Sequence, residues 1–208
     1  MDITSFNPEE YWNAKHQAYY PGLFLPTEHA RRSLRYFKRN DICNILELGC
    51  GRSGDSYYFA SNGYCIVSLD ISIFALADLS VHRPEQSTLS LVQADLRSGF
   101  PFKAMSFDAI FSRLSLHYFS DQTTEFIFNE MRRILKSSGC IAISVKSEPQ
   151  GMTPRAEKAI SGDHPIHLFT IGYMRSLLRD YSKVRIRESI IVSGIKKESA
   201  IIEAFAKR

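Results

Sequence analysis

The sequence predicts an α/β fold, a doubly wound seven-stranded sheet that finishes in an antiparallel pair of strands. Three observations predict it. An apolar run at residues 45–48 (I-L-E-L) breaks into glycines at Gly49, Gly51 and Gly54, and a helix can begin near Ser56. Apolar runs then alternate with helical patterns as far as Val145, which calls for a parallel sheet with right-handed crossovers. The last two apolar runs, 184–192 and 200–206, have only a turn region around Gly194 between them, so they pair antiparallel at a sheet edge.

Each element has its own local cause. Asn7 before Pro8 is a helix start, with Asn as the cap and Pro at the first helical position. On that helix Tyr11, Trp12 and His16 lie near one another, either packed on the core or covering a pocket. Pro21, Gly22 and Pro26 mark a loop. Thr27 caps a second helix to about residue 38, and residues 39–41 lead into the first strand. The helix after the glycines ends near Asn62 and Gly63. A second strand, 65–69, runs into Asp70, and Ser72 caps a helix from 73 to about 80. Residues 82–88 are a polar connection, and the third strand, 89–93, leads to Asp95. The fourth strand is 106–112. Ser120 or Asp121 caps a long helix to about 136, with Ile127, Met131, Ile134 and Leu135 on one face. Ser138 and Gly139 stop it before the fifth strand, 140–145. Residues 147–165 carry three prolines and two glycines, and read as a long loop with a short helix near 156–160. Thr170 caps a helix to about 181.

Composition narrows the class. The chain has 208 residues, 44% of them hydrophobic, which suits one domain with a full core. No apolar run approaches 18 residues, so no membrane span is expected. The N-terminus lacks a basic stretch followed by an apolar one, so no secretory signal is expected. Cys43, Cys65 and Cys140 fall in strands expected to be buried, and with Cys50 they form no C-x-x-C pair. Reduced thiols and a cytoplasmic location follow. The formal charge is +4, spread along the chain with small clusters at 31–32, 132–133 and 196–197. That reads as a solvated surface rather than a nucleic-acid groove.

The chemistry gathers at one edge. Strand, glycine turn and helix start form a nucleotide-binding element, in which glycines let the backbone approach the ligand. Asp70 lies 21 residues beyond Gly49, where a carboxylate can accept from both hydroxyls of a ribose. Glu47, Asp70 and Asp95 all sit at carboxyl ends of strands, where open α/β sheets bind ligands. A nicotinamide dehydrogenase would also use the glycines and Asp70. It would set Glu47 against a pyrophosphate of like charge and leave Asp95 idle.

With these residues in place the sequence resembles the class I S-adenosylmethionine-dependent methyltransferases over nearly its whole length. The matching segments are I-L-E-L-G-C-G-R-S-G (45–54), V-S-L-D-I-S (67–72), V-Q-A-D-L (92–96), F-D-A-I-F-S-R-L-S-L-H-Y-F (107–119) and M-R-R-I-L-K-S-S-G-C (131–140). The resemblance implies a Rossmann-like fold and S-adenosyl-L-methionine as cofactor, released as S-adenosyl-L-homocysteine. It implies that Glu47, Gly49 and Gly51 face the methionine portion, that Asp70 holds the ribose and that Ile71 packs on adenine. Asp95 and Leu96 would contact the adenine edge, and Ser112 and Arg113 the methionine side. It assigns nothing to Arg52. The single domain then divides into a helical cap (1–40), a cofactor core (41–146) and an acceptor side (147–208).

The methyl of a sulfonium is already activated, so transfer is an in-line displacement needing alignment and dryness rather than a metal or a covalent intermediate. A base is required only where the acceptor must lose a proton. His117 is the best-placed candidate, followed by Tyr118. Tyr11, Trp12, Tyr19, Tyr20, Tyr118 and Phe119 can build an aromatic-walled pocket, and His164 and His167 lie in the loop-rich segment where this fold binds acceptors. A small-molecule acceptor follows, as in the tellurite-resistance and thiopurine methyltransferases, which the compact chain and its N-terminal Tyr-Trp segment resemble. A protein or nucleic-acid acceptor and a non-catalytic binding module are the alternatives, and the chain is expected as a monomer or homodimer.

Overall fold

The computed structural model describes residues 7–18, 25–52, 54–83, 87–148, 160–161, 164–192 and 198–208. The strands are β1 (Asn44–Leu48), β2 (Cys65–Asp70), β3 (Leu89–Gln93), β4 (Phe107–Arg113), β5 (Leu135–Lys146), β6 (Ser182–Val192) and β7 (Glu198–Lys207). They form one seven-stranded sheet in the order β3-β2-β1-β4-β5-β7-β6. Neighbours from β3 to β5 are parallel, and β7 runs antiparallel between β5 and β6. The strand order reverses between β1 and β4. That switch point opens a crevice at the carboxyl ends of the strands.

The helices are α1 (Pro8–Ala18), α2 (Glu28–Phe37), α3 (Asp55–Ser61), α4 (Ile73–Val81), α5 (Asp121–Ile134) and α6 (Ile171–Leu177), with single 3₁₀ turns at Leu96–Ser98 and Leu116–Tyr118. Their starts follow the expected caps. Thr27, Ser72, Ser120 and Thr170 each accept a backbone N–H from the first turn, and Asn7 Oδ1 accepts from Glu9 N at 3.1 Å. The strands alternate their side chains between two apolar layers. One face buries Leu46, Leu48, Ile110 and Ile141 with Met131 of α5 and Met174 of α6. The other buries Ile45, Phe111 and Ala142 with Phe37 of α2 and Phe59 of α3. Both faces are covered, which is why the parallel strands read as unbroken apolar runs.

Several expectations need correction. Helix α5 stops at Ile134 and β5 begins at once with Leu135, which pairs with Phe107 before a register shift brings Cys140 opposite Ala109. Ser138 and Gly139 therefore lie within the strand. Cys43 and Cys65 are exposed and only Cys50 and Cys140 are buried, because the first two sit where β1 and β2 begin, at the sheet's outer rim. Helix α6 closes at Leu177 rather than near 181. Of the short helix expected at 156–160, residues 156–159 lie outside the described residues, and Ile160–Ser161 instead pairs antiparallel with His164–Pro165. Gly194 also lies outside them. Among the described residues no helix is long and apolar enough to cross a membrane.

Candidate functional site

The glycine turn sits at the switch point, held to β2. Gly49 N and Cys50 N both donate to Leu69 O, at 2.8 and 3.1 Å. Gly49 and Gly51 have φ of +63° and +51°, a region in which a side chain is strained. A Cβ on Gly49 would lie 2.0 Å from Ser115 Oγ, and one on Gly51 would lie 3.2 Å from the His16 ring. The turn is thus bare backbone approached by two side chains. Leu114, itself at φ +51°, turns the chain after β4 and brings Ser115 there.

Asp70 is 7% exposed and ties the turn to α4. Its Oδ2 accepts from Gly51 N at 2.7 Å and its Oδ1 from Ser72 N at 2.9 Å. A carboxylate has about four acceptor positions, so two remain for ligand hydroxyls. Beyond it, at the ends of β2 and β3, lies a cavity of about 280 Å³ lined by Asn7, Glu9, Ile71, Gln93, Ala94, Asp95 and Arg97. Asp95 accepts from Arg97 N and pairs with the Arg97 guanidinium at 2.6 Å. Burial opposes its ionisation, but the Arg97 hydrogen bonds and charge outweigh this and hold the carboxyl below its usual range. Leu96 is buried beneath. These contacts suit a planar base with an exocyclic donor, beside a sugar at Asp70 and a polar chain at the glycines.

Helix α1 lies across this crevice. It buries no residue of its own, yet it reaches four elements. Glu9 accepts from Gln93 at 3.0 Å and Asn13 from Ser72 Oγ at 2.8 Å. Arg52 donates to His16 O at 2.9 Å while pairing with Asp78 of α4. Trp12 stands edge-on to Tyr118, centroids 4.7 Å apart, and Tyr11 stands edge-on to Trp12 and under Lys15. Of the two roles open to this helix, the contacts favour a cover over the crevice. Tyr19 and Tyr20 lie outside the described residues.

Other expected site residues are placed differently. Glu47 is 2% exposed and turned toward α3, where Ser56 and Ser68 donate to its Oε2. Burial, then the Asp55 charge, pushes its carboxyl up to about 8. The fully buried Ser112 donates to Leu48 O at 3.2 Å. Its hydroxyl clasps β1 to β4 instead of lining the methionine side. Arg113 faces a second, smaller cavity on the α2 side. His117 is 0% exposed, its ring against Tyr118 and its carbonyl accepting from His167 N at 2.7 Å. It is therefore sealed from any acceptor in this conformation. His167 pairs with Asp121 at 2.9 Å and stacks on Phe169 and Tyr173, so it braces this loop. His164 contributes backbone to the two-residue ladder. The second cavity also gathers His29, Arg32 and Glu203, which sequence reading passed over.

The chain is similar to known methyltransferases. Residues 46–143 match a family model described as a methyltransferase domain. Over 115 residues the chain is 31% identical to a malonyl-[acyl-carrier protein] O-methyltransferase of Enterobacter lignolyticus (strain SCF1), covering 55% of this chain and 41% of that protein. Over 70 residues it is 36% identical to the 18S rRNA (guanine-N(7))-methyltransferase of Bos taurus, covering 34% of this chain and 24% of that one. The chain thus spans less than half the length of these curated relatives. Among solved structures, an S-adenosylmethionine-dependent methyltransferase of Methanosarcina mazei superposes with a TM-score of 0.73 at 17% identity, over 88% of this chain and 99% of that one.

Proposed function

We propose that this chain is a class I S-adenosylmethionine-dependent methyltransferase that moves a methyl group from S-adenosylmethionine to a small-molecule acceptor, a reading supported by its sheet order and by the match of residues 46–143 to a methyltransferase-domain model. The observation that carries the reading is the continuity from glycine turn to Asp70 to the cavity of about 280 Å³ at Ile71 and Asp95. The backbone at Gly49 and Gly51 would take the amino-acid end, Asp70 the ribose hydroxyls, and Ile71, Asp95 and Leu96 the adenine. Bound there, the donor supplies an electrophilic methyl on a sulfonium. The protein's task is to exclude water and align the acceptor. Helix α1 and the Trp12–Tyr118 pair serve the first need.

A small acceptor is supported by the cover itself, which leaves little room for a macromolecule over the turn. The malonyl-[acyl-carrier protein] relative, an O-methyltransferase whose named substrate is an acyl group carried on a protein, favours an acyl oxygen as the accepting atom. An RNA guanine is the second reading, favoured by the rRNA-modifying relative. Calorimetry with S-adenosylhomocysteine tests the cofactor. Binding of a nicotinamide dinucleotide in its place would sink the proposal. Labelled methyl donor, offered with thiols, amines, phenols, carboxylic acids and a guanine-containing RNA, separates the two acceptor readings.

A further inference from the structure

Helix α1 straddles Asp70. Ser72 N donates to Asp70 Oδ1 at 2.9 Å, and Ser72 Oγ donates to Asn13 Oδ1 at 2.8 Å. On the other side, Gly51 N donates to Asp70 Oδ2 at 2.7 Å, and the His16 ring packs against Gly51. Each oxygen of the carboxylate is thus bonded to a residue that touches α1. Asn13 and His16 lie about 4.5 Å apart along the helix axis, so this face of α1 spans the carboxylate. The edge of the ring nearest the turn is Cε1 and Nε2, at 3.2 and 3.6 Å from the place a Cβ on Gly51 would take. The ring is half-buried. Arg52 donates to His16 O at 2.9 Å, which fastens this end of the helix to the turn.

We infer that His16 is a ribose-binding residue carried on the cover, its Nε2–H donating to a hydroxyl that Asp70 holds from the other side. The inference rests on the methyl-donor reading above. A hydroxyl that gives its proton to a carboxylate presents only lone pairs to a second partner, so that partner has to be a donor. The neighbouring backbone donors, Gly51 N and Ser72 N, are spent on Asp70 itself. Arg52 Nε and Nη1 are spent on Asp78 and on His16 O. The imidazole, with Nε2 at the turn, supplies what is needed. Burial, helped by the Arg52 charge, outweighs the Asp70 and Asp78 carboxylates and holds the imidazole below its usual range. The ring is therefore neutral at neutral pH, with one donor and one acceptor nitrogen, and a bond to the hydroxyl selects the tautomer with its proton on Nε2. Closure then depends on the sugar. A ribose hydroxyl bridges Asp70 on β2 to His16 on α1, and a sugar lacking that hydroxyl leaves the bridge unmade.

Calorimetry tests the bridge without any acceptor, using S-adenosylhomocysteine and the two analogues that each lack one ribose hydroxyl. His16→Ala should weaken S-adenosylhomocysteine binding by about 2- to 10-fold, the range for one neutral hydrogen bond, and leave the affinity of one of the two analogues unchanged. His16→Gln, which keeps a donor, should restore part of the loss. Equal weakening of all three ligands would mean that the ring only packs on the turn, and undiminished affinity for S-adenosylhomocysteine would mean that it touches no ligand atom. Either result overturns the inference and leaves the methyl-donor reading standing. In nitrogen-15 NMR of the intact chain saturated with S-adenosylhomocysteine, the His16 ring proton should lie on Nε2; a proton on Nδ1 alone also overturns the inference. Failure of S-adenosylhomocysteine to bind the wild-type chain removes the methyl-donor reading and the inference with it.

Discussion

Trp12 of α1 meets Tyr118 edge to face across the crevice, with ring centroids 4.7 Å apart. The pair ties the covering helix to the turn that follows β4. An aromatic pair of this kind contributes about 0.5–1.5 kcal/mol beyond its buried area. Trp12→Ala should therefore speed S-adenosylhomocysteine release by about 3- to 10-fold in stopped-flow measurement, with little change in melting temperature. A slowed or unchanged release would deny α1 its covering role.

Gly49→Ala tests the turn. The new Cβ would lie 2.0 Å from Ser115 Oγ, at a backbone φ of +63°. The left-handed conformation alone costs about 1–2 kcal/mol, and the clash adds to it. A fall in melting temperature of at least about 3 °C and loss of cofactor binding are expected. Adding Ser115→Gly should recover part of the stability, because it removes the clash and leaves the strain. Full additivity in that cycle would show that the two residues do not touch.

Asp70→Ala should weaken S-adenosylhomocysteine binding by about 1–3 kcal/mol, the range for lost hydrogen bonds to a charged group. The substitution also strips Gly51 N and Ser72 N of their acceptor, so some thermal destabilisation accompanies it. Asp70→Asn keeps one acceptor oxygen and should fall between. Calorimetry reads both, and undiminished affinity in Asp70→Ala would remove the ribose assignment.

Glu47 gives the fold a pH dependence of definite sign. Its carboxyl is pushed from 4.5 up to about 8 by burial and by Asp55. Between those values the folded chain holds a proton that the unfolded chain has released, so stability falls as pH rises through this window and levels off above it. Glu47→Gln removes the titration. The stability of the Gln variant relative to wild type should increase from about pH 5 to pH 8 in urea titrations at a series of pH values. A constant difference would mean that Glu47 is ionised throughout.

Most of the scaffold was legible because its signals are local. Strand β3 matches residues 89–93, and each expected N-cap is a hydroxyl or amide two or three residues from the N–H it accepts. The site was less legible where partners are remote. His29 and Glu203 are 174 residues apart, and neither carries a local pattern. His117, by contrast, stood in a conspicuous motif, but its burial depends on a ring and a loop that no spacing reveals. Ser112 and Glu47 misled for a related reason. A strand's end fixes where a residue sits along the sheet, and the pleat then turns its side chain toward a neighbouring strand or helix instead of the crevice. Arg52, which sequence left without a role, is one of the links between glycine turn, α4 and α1.

Helix α1 sits at the low end of the chain's stability range. None of its described side chains is fully buried, and polar contacts and the Trp12–Tyr118 pair are among those that hold it, so it is expected to open before the sheet and its two apolar layers do. Its amides should exchange with solvent through this partial opening rather than through global unfolding. Entry of a ligand would then wait on that opening, and the observed association rate would level off at high ligand concentration. The cover thereby separates how tightly the crevice holds a molecule from how quickly it admits one.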